Sequence, residues 1–255
     1  MSARYFVISL KKSADRRENI SSVLRAHGVN FEIFDASYGV ELTDHERALF
    51  SDEDHCDLHL INGTTVRVAD QLTPSEMGCA LSHLRLYQHI IDQGLEYAVV
   101  MEDDAQPHPD VFEAIEHLDC ITEPWDIVNF SEDHNGIKSL PLARRYYFRD
   151  DKSFYFRRLG MRNDYLDARV NARHLVAVTA LYVITAKACR RFIELGYPVR
   201  LPSDYLSGMI GFNHLRTFAA WPQGHYYKEG GFESTIGAGA YRPSHSITRI
   251  RKSSS

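Results

Sequence analysis

Three adjacent carboxylates, Glu102, Asp103 and Asp104, end the apolar run Tyr97-Ala98-Val99-Val100-Met101. Like charges at that spacing repel unless a cation sits among them, and oxygen ligands of this kind suit a hard divalent ion. The apolar run predicts a strand covered on both faces, as in a parallel sheet. Its C-terminal end is then the edge where open α/β sheets hold ligands. Residues two apart share a face of a strand, so Glu102 and Asp104 are expected to point together, with Asp103 turned away to steady the loop. A cation that also gripped a diphosphate would make this a place for nucleotide chemistry. Three solvated acids in a surface turn would look the same in sequence.

The elements that must carry these acids can be read from periodicity and punctuation. Tyr5 to Leu10 reads as a first strand. Ser13 is placed as an N-cap for a helix over Ala14 to His27, with Ile20, Val23 and Leu24 at helical spacing and Gly28 closing it. Asn30 to Phe34 follows as a second strand, completing a βαβ unit. Between Val40 and Val68 the pattern predicts an irregular excursion, with a short helix in Asp44 to Ser51 and a hairpin turn at Ile61 to Thr64. Thr73, Pro74 and Glu76 spell a capping box with proline at the first helical position. The helix they open carries Met77, Leu81, Leu84, Tyr87 and Ile91 on one face and stops at Gly94. Beyond the acids, a helix from Pro109 to about Leu118 and a strand over Trp125 to Phe130 are expected. Leu175 to Thr185 reads as a strand, Ala186 to Leu195 as a helix capped by Thr185, Pro202 to Asp204 as another helix start, and Leu215 to Trp221 as a late strand.

The chain has 255 residues, 44% of them apolar and 25% charged, with a net charge of -5. That is enough for a proper core, and no repeat or linker divides it, so one domain over 1–255 is expected. Overall acidity argues against nucleic acid as a partner. Charge is uneven, however: Arg144 to Arg173 holds nine Arg or Lys against four Asp, interleaved with aromatics such as Tyr146, Phe148, Phe154 and Phe156. Cys56, Cys79, Cys120 and Cys189 form no C-x-x-C pair, which disfavours zinc or disulfides and fits a reducing compartment. Neither a signal-like apolar core nor the roughly 18 apolar residues of a spanning helix is present. The expected location is cytoplasmic, with at most peripheral contact between a basic tail (Arg249 to Lys252) and anionic lipid.

Four stretches, in order, resemble glycosyltransferase family 25. They are Val7-Ile8-Ser9-Leu10 with Asp15-Arg16-Arg17, Phe34-Asp35-Ala36, Ser75-Glu76-Met77-Gly78-Cys79-Ala80-Leu81-Ser82-His83, and Val99 to Asp104. The third is similar to a G-E-x-G-C-x-x-S-H helix, with Ser75 in place of Gly, and the fourth to an L-E-D-D element. A weaker fifth match runs from Thr179 to Thr185, with Asp204 downstream. The resemblance covers residues 5 to 206. It implies a GT-A-like α/β fold with a mostly parallel central sheet flanked by helices. Residues up to about 130 would form a nucleotide-sugar half and the remainder an acceptor half. It further implies an inverting hexosyltransferase, with UDP-galactose the leading donor and a lipooligosaccharide the acceptor.

Such chemistry needs the diphosphate neutralised, the acceptor hydroxyl deprotonated and the two substrates aligned. On the resemblance, Asp104 is the first metal ligand, for Mn2+ or Mg2+. Glu102 joins it or holds the ribose, and His225 is a late third ligand. Leu10, Arg16, Asp35, Ser82, His83 and Asp103 are placed around the nucleotide sugar, although Arg16 and Asp35 could equally be ordinary helix-face and turn residues, and His83 a core histidine. Glu76 already has its work in the capping box. Asp204 is the leading general base and Asp133 the next; a first-turn Asp favoured by the helix dipole would look the same. The Arg-rich aromatic stretch suits a phosphorylated sugar acceptor. Two other readings remain: a glycosyltransferase-like protein that binds nucleotide sugar or glycan without catalysis, and a magnesium-dependent phosphohydrolase. The latter would want its acids on the first strand, which ends instead in Ser9-Leu10.

Overall fold

The computed structural model describes residues 3–61, 63, 65–69, 71–131, 144–159, 179–222, 224–229 and 247–250; for 227–229 and 247–249 only the backbone is described. The chain opens with strand β1 (Arg4–Ser9), helix α1 (Ala14–Ala26) and strand β2 (Phe31–Asp35). β1 and β2 run parallel, with Val7 opposite Ile33, so the βαβ reading holds. Gly28 adopts φ +66°, the left-handed conformation that ends a helix without steric cost. Ser13 does not cap α1 with its side chain. Its backbone N–H instead donates to the Leu10 carbonyl at 3.0 Å, closing a turn off β1.

After a short helix α2 (Asp44–Arg47), the expected irregular excursion is an ordered antiparallel hairpin, β3 (His55–His59) and β4 (Thr65–Ala69), extended on β4 by β13 (Ile247–Ile250). Its signal is a strict alternation. Cys56, Leu58, Val66 and Val68 are buried, and the intervening His55, Asp57 and His59 are exposed. Mean apolarity hides a strand with only one buried face.

The central helix α3 (Pro74–Asp92) starts as its sequence requires: the Thr73 N–H donates to Glu76 Oε2 at 2.6 Å and the Glu76 N–H to Thr73 Oγ1 at 3.3 Å. The acid-tipped strand β5 (Tyr97–Glu102) follows, then β6 (Ala105–Pro107), α4 (Asp110–Glu116) and β7 (Ile127–Asn129). The remaining described elements are β8 (Arg145–Tyr147), β9 (Tyr155–Arg158), β10 (Leu181–Thr185), α5 (Ala186–Gly196), α6 (Ser203–Gly208), α7 (Ile210–Asn213), β11 (Thr217–Trp221) and β12 (Tyr227–Glu229).

The large sheet has the order β2-β1-β5-β10-β7-β11-β9-β8. It is mixed rather than mostly parallel. β2/β1, β1/β5 and β7/β11 are parallel, whereas β10 runs antiparallel between β5 and β7, and β9 is antiparallel to both β11 and β8. An apolar run reports that both faces of a strand are covered and is silent on direction. Strand alternation divides the core in two. Tyr5, Val7, Val99 and Met101 pack with Ile20, Leu24, Val111 and Ile115 of α1 and α4. Phe6, Ile8, Ala98 and Val100 pack with Leu84, Tyr87, Ile90 and Phe192 of α3 and α5. Even-numbered residues of β5 therefore face α3, which fixes where Glu102 points. Among the described residues no helix is long and apolar enough to cross a membrane.

Candidate functional site

A cavity of about 140 Å3 opens at the C-terminal ends of the parallel strands β1 and β5, between α1 and α3. Ile8, Ser9 and Leu10 form its floor, and all three acids, Glu102, Asp103 and Asp104, border it. Its outer wall is the loop from Ala36 to Val40. That loop lies tight on α3. A Cβ on Gly39 would stand 1.5 Å from the Pro74 carbonyl oxygen, and one on Gly78 would stand 2.6 Å from the Ser37 oxygen. Both glycines are required by backbone approach. Ser82 completes the attachment: its hydroxyl accepts from the Ser37 N–H at 2.8 Å and donates to the Gly78 carbonyl at 2.6 Å. Ser82 borders the cavity, but its hydrogen bonds hold the wall in place.

The three acids have different surroundings. Glu102 continues the even face of β5 toward α3 and β10, where Thr179 Oγ1 donates to its Oε1 at 2.7 Å and His83 Nε2 lies 3.4 Å from the same oxygen. Burial opposes its ionisation, but the nearby His83 ring, the bond from Thr179 and the charge of Arg16 outweigh it, and Glu102 is held below the usual carboxylate range. Asp103, only 7% exposed, turns toward α1 and accepts from Ser9 Oγ at 2.6 Å and Arg16 Nη1 at 3.1 Å. Asp104 lies in the turn after β5, where alternation no longer applies. It reaches the same Arg16 Nη1 at 3.2 Å. Partial burial first, and then the neighbouring Glu102, push its carboxyl up to about 6, with Arg16 working against them. The site thus gathers more negative charge than Arg16 neutralises, and oxygen donors in that state fit a divalent cation.

His83 belongs to a fixed relay. Its Nδ1 lies 2.8 Å from Tyr182 Oη, which lies 2.9 Å from Tyr87 Oη, and all three residues are buried. Its Nε2 makes no hydrogen bond among the described residues. Cys79, His83 and Glu102 bring their ligand-type atoms within 4.8 Å of one another. Cys79 is half-buried and borders the cavity rather than filling the core. Burial drives its thiol well above the ordinary range, and its Sγ is 3.2 Å from Ser203 Oγ at the start of α6.

Asp204 follows Ser203, and the Tyr205 N–H donates to its Oδ1 at 3.0 Å. Burial, and behind it the charges of Glu102 and Glu76, push this carboxyl up to about 7. Asp204 is not among the residues lining the cavity, but its neighbour Ser203 contacts the cavity residue Cys79, and the charge of Glu102 acts on it. Asp35 sits outside the cavity's lining: Arg17 Nη2 at 2.7 Å and Lys11 Nζ at 3.2 Å occupy its oxygens, and Arg17 above all holds its pKa down. His225 lies with Asp110 and His108, its Nε2 2.6 Å from Asp110 Oδ2, and among the described residues it does not join the acid triad. Asp133 lies outside the described residues, as does residue 160 onward in the Arg-rich stretch. Within the described part of that stretch, Tyr146 and Phe156 are buried core residues, which removes them as sugar platforms. Tyr155 stacks on Trp221 with ring centroids 5.9 Å apart and remains half-exposed. Ser9, Thr179 and Tyr182 were not singled out in sequence for these roles; Thr179 and Tyr182 carried a faint signal in the fifth family-like stretch.

Comparison with known proteins agrees with the motifs. Residues 2–207 match the model of "Glycosyltransferase family 25 (LPS biosynthesis protein)". A procollagen galactosyltransferase 1-B of Xenopus laevis is 33% identical over 100 residues, 39% of this chain and 15% of that protein. The lacto-N-neotetraose biosynthesis glycosyltransferase LgtB of Neisseria meningitidis serogroup B is 33% identical over 98 residues, 38% of this chain and 31% of that protein. The chain thus aligns with less than a third of either relative. A solved glycosyltransferase involved in glycosylating the major capsid of PBCV-1 overlaps 77% of this chain and 66% of its own, at TM-score 0.33 and 11% identity, a likeness too slight to define the fold. The family match spans most of the chain and includes both the capped helix and the acid-tipped strand, so the chain belongs to glycosyltransferase family 25.

Proposed function

We propose that this chain is an inverting, metal-dependent hexosyltransferase that moves galactose from UDP-galactose onto a sugar of a lipooligosaccharide or lipopolysaccharide acceptor, within one GT-A-like domain. The observation that carries the reading is the convergence of Glu102, Asp103 and Asp104 on one cavity at the strand ends, with Asp204 in electrostatic reach. The donor sugar is supported by the procollagen galactosyltransferase relative, and the acceptor class by the family's description as a lipopolysaccharide biosynthesis protein. An acceptor of that kind places the reaction at the cytoplasmic face of a membrane, with no nucleic acid involved.

Asp104, with Glu102 beside it, would hold the Mn2+ or Mg2+ ion, which supplies Lewis-acid neutralisation of the departing diphosphate. Arg16 contributes a fixed positive charge beside the same oxygens. The loop pinned by Ser82 covers the donor and limits water. Asp204 accepts the proton of the acceptor hydroxyl as its oxygen attacks the anomeric carbon and the bond to the diphosphate breaks. A carboxyl titrating near 7 suits a base that works at neutral pH. His83, clamped by Tyr182, orients Glu102.

The deciding experiment measures UDP release from UDP-galactose with Mn2+ and an oligosaccharide acceptor, for the wild type and for Asp104→Ala and Asp204→Asn. Acceptor-dependent turnover that each variant lowers by roughly 10²-fold or more supports the reading. UDP binding without turnover on any hexose donor would leave a nucleotide-sugar binding protein instead.

A further inference from the structure

A second set of ligand-type side chains converges where the chain leaves β6. His108 follows that strand, Asp110 opens α4, and His225 stands two residues before β12. Pairing of β12 with β6, Tyr227 opposite Pro107, brings the two segments together. His225 Nε2 is 2.6 Å from Asp110 Oδ2, and His108 Nδ1 is 3.4 Å from the same oxygen. The imidazole centroids are 4.3 Å apart, and the three ligand atoms all lie within 4.8 Å of one another.

The surroundings hold this arrangement in place. The other oxygen of the carboxylate, Oδ1, accepts from Arg149 Nη2 at 2.7 Å. Arg149 is also bound by Glu113 and lies 4.0 Å over the Phe154 ring, and Phe154 packs edge-on against His225. One oxygen of Asp110 is thereby fixed, and the other is aimed at two imidazoles. A carboxylate oriented in this way is typical of metal sites. The Asp110 N–H donates to His108 Nδ1 at 3.3 Å, a long bond that keeps the imidazole beside the carboxylate. His108 Nδ1 also lies 3.4 Å from Asp110 Oδ2, so the imidazole and the carboxylate face one another at a spacing that a shared cation can bridge.

We propose that His108, Asp110 and His225 form a binding site for a zinc-class transition metal, separate from the oxygen-ligand site of the acid triad. Zn–N and Zn–O bonds of about 2.0–2.2 Å in tetrahedral geometry put ligand atoms about 3.3 Å apart. The 3.4 Å pair already meets that spacing. The 2.6 Å pair opens by less than about 1 Å as the metal takes the place of the hydrogen bond between His225 and Asp110. The side chains of His108, Asp110 and His225 are 42%, 24% and 30% exposed, so water can fill the remaining coordination position. Two imidazoles favour Zn2+, Co2+ or Ni2+ over Mg2+ and Mn2+, which separates this site chemically from the carboxylate cluster. Bound metal would tie the β12 segment to the turn after β6, which begins four residues beyond Asp104.

The test is calorimetric titration of the full chain with Zn2+ alone, in the presence of excess Mg2+, with Co2+ absorption as a spectroscopic reporter of nitrogen ligands. One equivalent of zinc is expected to bind, roughly tenfold or more weaker in His108→Ala and in His225→Ala, and unchanged in Asp104→Ala and Cys79→Ser. Melting curves without metal establish that each variant is folded, and His225→Gln repeats the test with the packing against Phe154 preserved. Absence of stoichiometric zinc binding by the wild type overturns the proposal. So does binding that survives both histidine substitutions, or binding that fails in Cys79→Ser or Asp104→Ala, which would assign the metal to the donor cavity. Glycosyl transfer is not needed for the readout, so this site stands or falls apart from the proposed activity.

Discussion

Replacing Asp204 with Asn removes a charge while keeping the shape of the side chain and its acceptor for the Tyr205 N–H. Its folded-state pKa is pushed up to about 7 from an ordinary 3.8, so the native state holds this proton longer than the unfolded chain does. Stability from that source is full below about 3.8 and is lost as pH rises toward 7. The difference of about 3 units corresponds to at most about 4 kcal/mol at 1.36 kcal/mol per unit. Partial access to solvent and local relaxation reduce this to roughly 1–2 kcal/mol. In a chain of this length that is a rise of roughly 2–6 °C in Tm. Asp204→Asn should therefore melt higher than the wild type at about pH 8 in chelator, and equally at about pH 3.5, where both states of the wild type are protonated. The same variant should lose roughly 10²- to 10⁴-fold in turnover, because the acceptor hydroxyl has no base. Thermal unfolding at the two pH values, paired with UDP release, tests both halves. A variant that melts no higher at about pH 8 refutes the electrostatic account of Asp204, and one that keeps full turnover refutes its role as base.

Calorimetry with UDP should show binding strengthened by Mn2+ in the wild type and not in Asp104→Ala; equal Mn2+ dependence in the two would move the metal elsewhere. Gly39→Ala drives a methyl to 1.5 Å from the Pro74 oxygen, so the loop must shift, at a cost of roughly 3 kcal/mol or more, visible in urea unfolding. Ser82→Ala leaves the Ser37 N–H without its acceptor; we expect a loss of about 1–2 kcal/mol and a raised KM for the donor with kcat little changed. Asp103→Asn should cost roughly 2–4 kcal/mol because it unbalances the buried Arg16, whereas Asp104→Asn should leave stability within about 1 kcal/mol and cost metal affinity instead. Melting curves of that pair in chelator give the comparison.

Features fixed by local chemistry were legible in the sequence. Thr73, Pro74 and Glu76 determine where α3 begins, Gly28 and Gly94 both take positive φ where helices were expected to stop, and Thr185 caps α5 through the Ala188 N–H. Strand direction was not legible, because β10 is as apolar as β5 whichever way it runs. The turn signal at Ile61 to Thr64 pointed to a hairpin, but its strands β3 and β4 were not read because half their residues face solvent. Within the site, the acid triad and His83 could be found from motifs, but their partners could not. Ser9 and Asp103 are 94 residues apart and Glu102 and Thr179 are 77 apart, and no periodicity encodes such contacts. His225 shows the same limit from the other side: its residue type signalled a ligand, and pairing of β12 with β6 decided which acid it meets.

Three consecutive acids can share one sheet edge because the fold gives each a different compensation. Glu102 follows the even face of β5 into a lattice of donors anchored by Tyr182, and its pKa falls. Asp103 takes the opposite face and shares the buried Arg16 with Ser9 as co-donor. Asp104, past the end of the strand, receives only a share of the same guanidinium at 3.2 Å, and its carboxyl is pushed up to about 6. Compensation is thus weakest at the most exposed of the three acids, with 35% of its side chain exposed. A cation gains most where negative charge is least paired, so Asp104 is the position at which ion binding releases the most electrostatic strain. Asp103 contributes by keeping Arg16 in place beside it. The order of the residues in the strand and the turn after it therefore assigns different work to three side chains that look interchangeable in sequence.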